Sequence, residues 1–154
     1  MADPNEIERS PSSEQRYHQQ LGPPRAVLLV DDSHRNRKMA RDVLGKAGIR
    51  VITAADGFDG LSKVVAHQPS VVLIDTVLPR LDGYQACALI KNNLDFHQVR
   101  VILLSGGGQP LDNARARLVG CDAQLTKPLA RETLLAAVLQ RSDGETASEE
   151  DRTH

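Results

Sequence analysis

Three carboxylates, a hydroxyl and an ammonium stand in this chain at the points where apolar runs stop. Ala26-Val27-Leu28-Leu29-Val30 stops at Asp31-Asp32, and Val71-Val72-Leu73-Ile74 stops at Asp75. Val101-Ile102-Leu103-Leu104 stops at Ser105, and the weaker run Ala123-Gln124-Leu125-Thr126 stops at Lys127-Pro128. Gathered in one place, three carboxylates repel one another and stay ionised together only beside a cation. Their donors are hard oxygens, so Mg2+ suits them and soft metals do not. Lys127 offers positive charge to a phosphoryl oxygen, and Ser105 offers a hydroxyl. Each residue alone has a plainer reading. Asp31-Asp32 can cap a helix, Asp75 can open a loop, Ser105 can be a turn serine, and Lys127 can be a surface lysine. Their combination favours phosphoryl chemistry. Gly106-Gly107-Gly108 lacks the spacing of a phosphate-binding P-loop and reads as a mobile loop beside the phosphate.

The elements that must position these groups follow from the same runs. Short apolar runs alternating with helical stretches describe parallel strands buried on both faces, whose ligands collect beyond their carboxyl ends. Ser33 is expected to cap a helix to about Ala47, with Met39, Ala40, Val43 and Leu44 inward, and Gly48 to end it. Arg50 to Ala54 reads as an edge strand. Asp56-Gly57 opens a second helix carrying Leu61, Val64 and Val65, closed before Pro69. After the loop from Thr76 to Gly83, Asp82 caps a third helix with Ala86, Leu89 and Ile90 as its buried stripe. Pro110 falls in the first turn of a fourth helix carrying Ala114, Leu118 and Val119, ended by Gly120. A fifth helix, Arg131 to about Arg141, carries Leu134, Leu135, Val138 and Leu139. Five βα units with right-handed crossovers make a doubly wound, three-layer sandwich on a five-stranded parallel sheet.

A chain of 154 residues has room for one domain with a substantial core. Aromatics are only 3% and Trp is absent, so the core rests on aliphatic residues and stacking platforms for nucleic acid are not expected. No apolar run is long enough to span a bilayer, and the polar, acid-bearing start reads as neither signal nor transit peptide. Residues 1–24 and 142–154 lack hydrophobic periodicity and read as disordered tails flanking a domain over 25–141. The net charge is -1, yet the tails together hold nine acids and three bases, so the remaining 11 acids and 16 bases give the body +5. Its densest basic group, Arg35, Arg37, Lys38 and Arg41, reads as a solvated helix face. Cys87 and Cys121 read as reduced packing residues in a cytoplasmic protein, and the five histidines show no ligand spacing.

The series Asp31-Asp32, Asp75-Thr76-Val77-Leu78-Pro79-Arg80-Leu81-Asp82-Gly83, Ser105-Gly106 and Lys127-Pro128 resembles the receiver domain of two-component response regulators over residues 25–141. The resemblance implies a flavodoxin-like (βα)5 fold. It implies that Asp75 accepts a phosphoryl group from a histidine kinase or phosphotransfer protein, and that Asp32, Asp75 and the Val77 carbonyl hold Mg2+, with Asp31 acting through water. Ser105 and Lys127 would bind the phosphoryl oxygens. Asp56-Gly57-Phe58-Asp59-Gly60 and the stretch from Pro79 to Asn93 look like the single-domain regulators of chemotaxis-like systems that control type IV pili. On that likeness the downstream target is a pilus motor or signalling protein. No nucleic-acid partner or membrane insertion is expected, and the only catalysis is of the domain's own phosphorylation and dephosphorylation.

The chain also departs from the family pattern. Gln124 stands where most receivers carry Tyr or Phe three residues before the lysine, and Leu129 stands where Phe is common. The expected switch therefore runs through Ser105, Gly106, Pro128 and the fourth helix, without a rotating ring. Val77 and Gly107 offer no side chain to guide an attacking water, which favours a long-lived phosphoaspartate. The rival reading is a receiver-fold docking module that works without phosphate. A haloacid-dehalogenase-type phosphatase would need an acid where Val77 stands, and a flavodoxin-like cofactor binder would need hydroxyls where Asp31-Asp32 stands.

Overall fold

The structure, a computed structural model, describes residues 26–107 and 110–140. The expected tails at 1–24 and 142–154, together with Arg25, Gly108 and Arg141, lie outside the described residues. The elements alternate without exception: β1 (Val27–Val30), α1 (His34–Lys46), β2 (Val51–Ala54), α2 (Gly57–His67), β3 (Val71–Asp75), α3 (Gly83–Lys91), β4 (Arg100–Ser105), α4 (Pro110–Leu118), β5 (Ala123–Thr126) and α5 (Arg131–Leu139). All strands are parallel, in the order β2-β1-β3-β4-β5. The expected doubly wound (βα)5 class is the one observed. The chain reverses its direction of winding between β1 and β3, and the crevice at such a point opens beyond the strands' carboxyl ends. Asp31-Asp32 and Asp75 stand there.

The period of two along each strand divides the core. Leu28, Val30, Val72, Ile74, Val101 and Leu103 pack with Val64, Ala86, Cys87, Ile90 and Ala116 of α2, α3 and α4. Val27, Leu29, Val71, Leu73, Ile102 and Leu104 pack on the other face with Ala40 and Leu44 of α1 and with Leu134, Ala137 and Val138 of α5. Helix starts obey local chemistry. The Ser33 side chain accepts from the Asn36 N–H, Asp56 from that of Asp59, and Asp82 with Gln85 forms a full capping box.

The expected helix stripes need correction at four positions. Val65, Leu89, Leu118 and Leu139 are exposed, at 60%, 55%, 86% and 42%. The physical reason is close approach by small residues. In α2, Gly57 and Gly60 are buried instead of Val65, and a Cβ on Gly60 would lie 2.7 Å from a Val30 methyl. In α3 the buried set is Gly83, Tyr84, Ala86, Cys87 and Ile90. Ala116 takes the inward position in α4, about 160° around the helix from Leu118 at ~100° per residue.

Two glycines test this packing in opposite directions. Gly45 lies in α1 with open space around it, whereas a Cβ on Gly83 would meet the Asp75 carbonyl oxygen at 2.3 Å. Gly45→Ala should therefore raise stability by up to about 1 kcal/mol, the helix-propensity difference. Gly83→Ala should lower it despite the same gain in propensity. Urea unfolding of both variants checks the sign.

Candidate functional site

The carboxyl edge of the sheet brings the sequence-nominated groups together. Asp31 is fully buried, Asp75 and Ser105 are buried, and Asp32 is exposed. Ligating oxygens from Asp31, Asp32 and Asp75 lie within 4.8 Å of one another. Lys127, half-buried, donates from Nζ to Asp75 Oδ2, and its Nζ stands 3.9 Å from Asp31 Oδ2. The other Asp75 oxygen, Oδ1, accepts the Val77 N–H at 3.0 Å. The Lys127 N–H donates to the Ser105 carbonyl at 2.8 Å, which ties the strand bearing the hydroxyl to the one bearing the ammonium. The Lys127-Pro128 peptide is cis, Gly106 follows Ser105 directly, and Gln124 points into solvent from β5.

The electrostatics follow from burial and pairing. Burial raises the Asp31 carboxyl above its usual range; the Ser33 N–H, the Asn36 amide and the Lys127 charge oppose this, and the Asp75 charge adds to it. Burial acts to lower the Lys127 ammonium, but the hydrogen bond to Asp75 and the charges of Asp31, Asp75 and Asp32 outweigh it and hold the pKa up. Lys127 is thus a cation at any physiological pH. Three hard carboxylate oxygens this close together suit a hard divalent cation.

Four contributors lie outside the sequence-nominated set. Asn36 Nδ2 donates to Asp31 Oδ2 at 3.0 Å, and Arg37 Nη1 donates to the Asp31 carbonyl at 2.8 Å. Arg37 therefore does not belong to a purely solvated face, although the exposed Lys38 pairs with Asp42 as such a face would. Spacing held the signal: residues in the first turn of a helix that follows a strand-end site sit over that site. The remaining two are Tyr84 and Arg115. The buried Tyr84 ring lies 4.1 Å beneath the Arg115 guanidinium, which also stands 3.7 Å from Asp82. Burial, followed by the Asp112 charge, raises the pKa of the Tyr84 hydroxyl. The Arg115–Tyr84 contact joins α4 to the start of α3, and nothing in the sequence pattern foretold it. A groove of about 310 Å³, lined by Arg35, Asn36, Met39, Lys127, Pro128 and Leu129, opens beside the lysine.

Known proteins resemble this chain in sequence and fold. The response regulator receiver domain family matches residues 27–139. Protein PilG of Pseudomonas aeruginosa is 48% identical over 112 residues, covering 73% of this chain and 83% of PilG. Protein PilH of the same organism is 33% identical over 112 residues, covering 73% of this chain and 93% of PilH. The chemotaxis protein CheY4 of Vibrio cholerae superposes with a TM-score of 0.70 at 30% identity, covering 73% of this chain and 94% of CheY4. Similarity on this scale, over the residues that build the acidic edge of the sheet, makes the chain a member of the response regulator receiver-domain family.

Proposed function

We propose that Asp75 is the phosphoryl acceptor of this response regulator and that its acyl phosphate is the signal. The observation that supports this most directly is the Lys127 ammonium on Asp75 Oδ2 inside a buried acidic edge, with the Lys127 backbone tied to that of Ser105. In the forward step an Asp75 carboxylate oxygen attacks the phosphorus of a phosphohistidine. A P–O bond forms, the P–N bond breaks, and the departing imidazole nitrogen keeps the electron pair and takes up a proton. Little covalent work falls to the protein in such a transfer, so positioning and charge carry the catalysis. Lys127 holds one carboxylate oxygen and stays near enough to meet a phosphoryl oxygen. Two unit charges ~4 Å apart attract by roughly 4 kcal/mol at an effective dielectric near 20. The Val77 N–H orients the other Asp75 oxygen. Ser105 would donate its hydroxyl to a phosphoryl oxygen.

Asp31, Asp32 and Asp75, with the Val77 carbonyl, would hold Mg2+, which when bound offsets the charge that gathers as phosphate meets carboxylate. The catalysis serves only the domain's own phosphorylation and dephosphorylation. The likeness to PilG and PilH supports a place in a chemotaxis-like pathway controlling type IV pili and twitching motility. The donor would be a histidine kinase or phosphotransfer protein, and the target a pilus motor or signalling protein. Among the described residues no helix is long and apolar enough to cross a membrane. A cytoplasmic location suits such a partner set.

The exposed Gln124 favours one second reading, a receiver-fold docking module that signals without phosphate. Labelling with acetyl phosphate and Mg2+ separates the two: the wild type should gain one phosphoryl group by intact mass, and Asp75→Ala none. An unlabelled but folded wild type would leave only the docking module. Beryllofluoride should move amide resonances of α4, because Ser105 leads directly into the loop before that helix; a still α4 would exclude this route. Val77 is 74% exposed and apolar, so it cannot orient an attacking water. Val77→Asn should shorten the phosphoaspartate lifetime, and an unchanged hydrolysis rate would refute that role.

A further inference from the structure

Asp31 is a buried carboxylate whose every polar group is engaged by the chain itself. Oδ1 accepts the Ser33 N–H at 2.8 Å and Oδ2 accepts Asn36 Nδ2 at 3.0 Å. Its carbonyl accepts from Arg37 Nη1 at 2.8 Å, and its N–H donates to the Ala54 carbonyl at 3.0 Å. Of the two hydrogen bonds to the carboxylate, the one from the Asn36 amide comes from a side chain and can be removed by substitution. The Asn36 backbone is separately used, since its N–H completes the Ser33 cap at 3.2 Å. Asn is a poorer helix former than Leu, so helix stability alone does not account for it in the first turn of α1.

The neighbouring ammonium makes this amide consequential. Lys127 Nζ donates to Asp75 Oδ2 but stands 3.9 Å from Asp31 Oδ2, within ion-pair range and beyond hydrogen-bond reach. The amide occupies the Asp31 oxygen that the ammonium would otherwise take. We infer that Asn36 is a positioning residue for the metal site: it fixes the Asp31 carboxylate facing Asp32 and Asp75 and keeps Lys127 committed to Asp75. This rests on the proposal that the three carboxylates hold Mg2+. Without the amide, Asp31 turns its free oxygen to Lys127, and an incoming cation must first displace the ammonium. Groups that orient metal ligands in this way typically contribute ~10–100-fold to metal affinity.

Mg2+ binding to the full chain, measured by calorimetric titration and by amide shifts of Asp32 and Val77 without any phosphodonor, tests the inference. Asn36→Leu preserves size and removes the donor. It should weaken Mg2+ binding at least ~10-fold while the urea midpoint stays at or above that of the wild type, and Asn36→Gln should recover part of the loss. Should the Leu variant not fold, Asn36→Ala carries the same comparison. A Leu or Ala variant whose affinity stays within about twofold of the wild type overturns the positioning role and leaves the metal site standing. A wild type that binds no Mg2+ overturns the site and the positioning role together.

Discussion

One ammonium set against three carboxylates in a partly water-excluded corner is the constraint around which this structure is arranged. Burial raises the pKa of the Asp31 carboxyl, and the nearby Asp75 charge adds to the effect. The fold answers with fixed donors rather than with neutral residues. Lys127 reaches Asp75 from the end of β5, past β4 and its Ser105, while the Ser33 cap and Asn36 and Arg37 of α1 engage Asp31. The parallel sheet makes this possible because every strand delivers its last residue to the same edge. Three carboxylates against one ammonium leave this corner short of positive charge, which a further cation would supply.

With Asp75 as the proposed acceptor, output would have to leave through an element that the acceptor can move. The ring that most receivers turn inward has no counterpart at Gln124, which faces solvent. An aromatic contact exists elsewhere, between α3 and α4, where the Arg115 guanidinium lies over the buried Tyr84 ring and stands 3.7 Å from Asp82. A cation over a buried ring is held more strongly than one in water. Helix α4 is therefore fastened to the start of α3, while its leading loop starts from Ser105.

Much of this was legible because strand ends announce themselves. An apolar run that stops at Asp31, Asp75, Ser105 or Lys127 states both the element and the direction of its chemistry, and the caps at Ser33, Asp56 and Asp82 are local. Helix orientation was less legible. Leu89 and Leu118 look like core residues by type, but rotation about each helix axis is decided by which neighbours permit close approach. Gly57 and Gly60 on α2 and Ala116 on α4 decided it here. Asn36 and Arg37 could have been read from their spacing after Asp31, whereas Tyr84 and Arg115 were illegible for another reason: polar contacts between separate elements leave no period in the sequence.

Gly83 carries a mechanical consequence. Its N–H donates to the Thr76 carbonyl at 3.2 Å, and its α-carbon sits so close to the Asp75 carbonyl that no side chain fits between. The first turn of α3 thus acts as a backstop, leaving the backbone at Asp75 no room to recoil on that side.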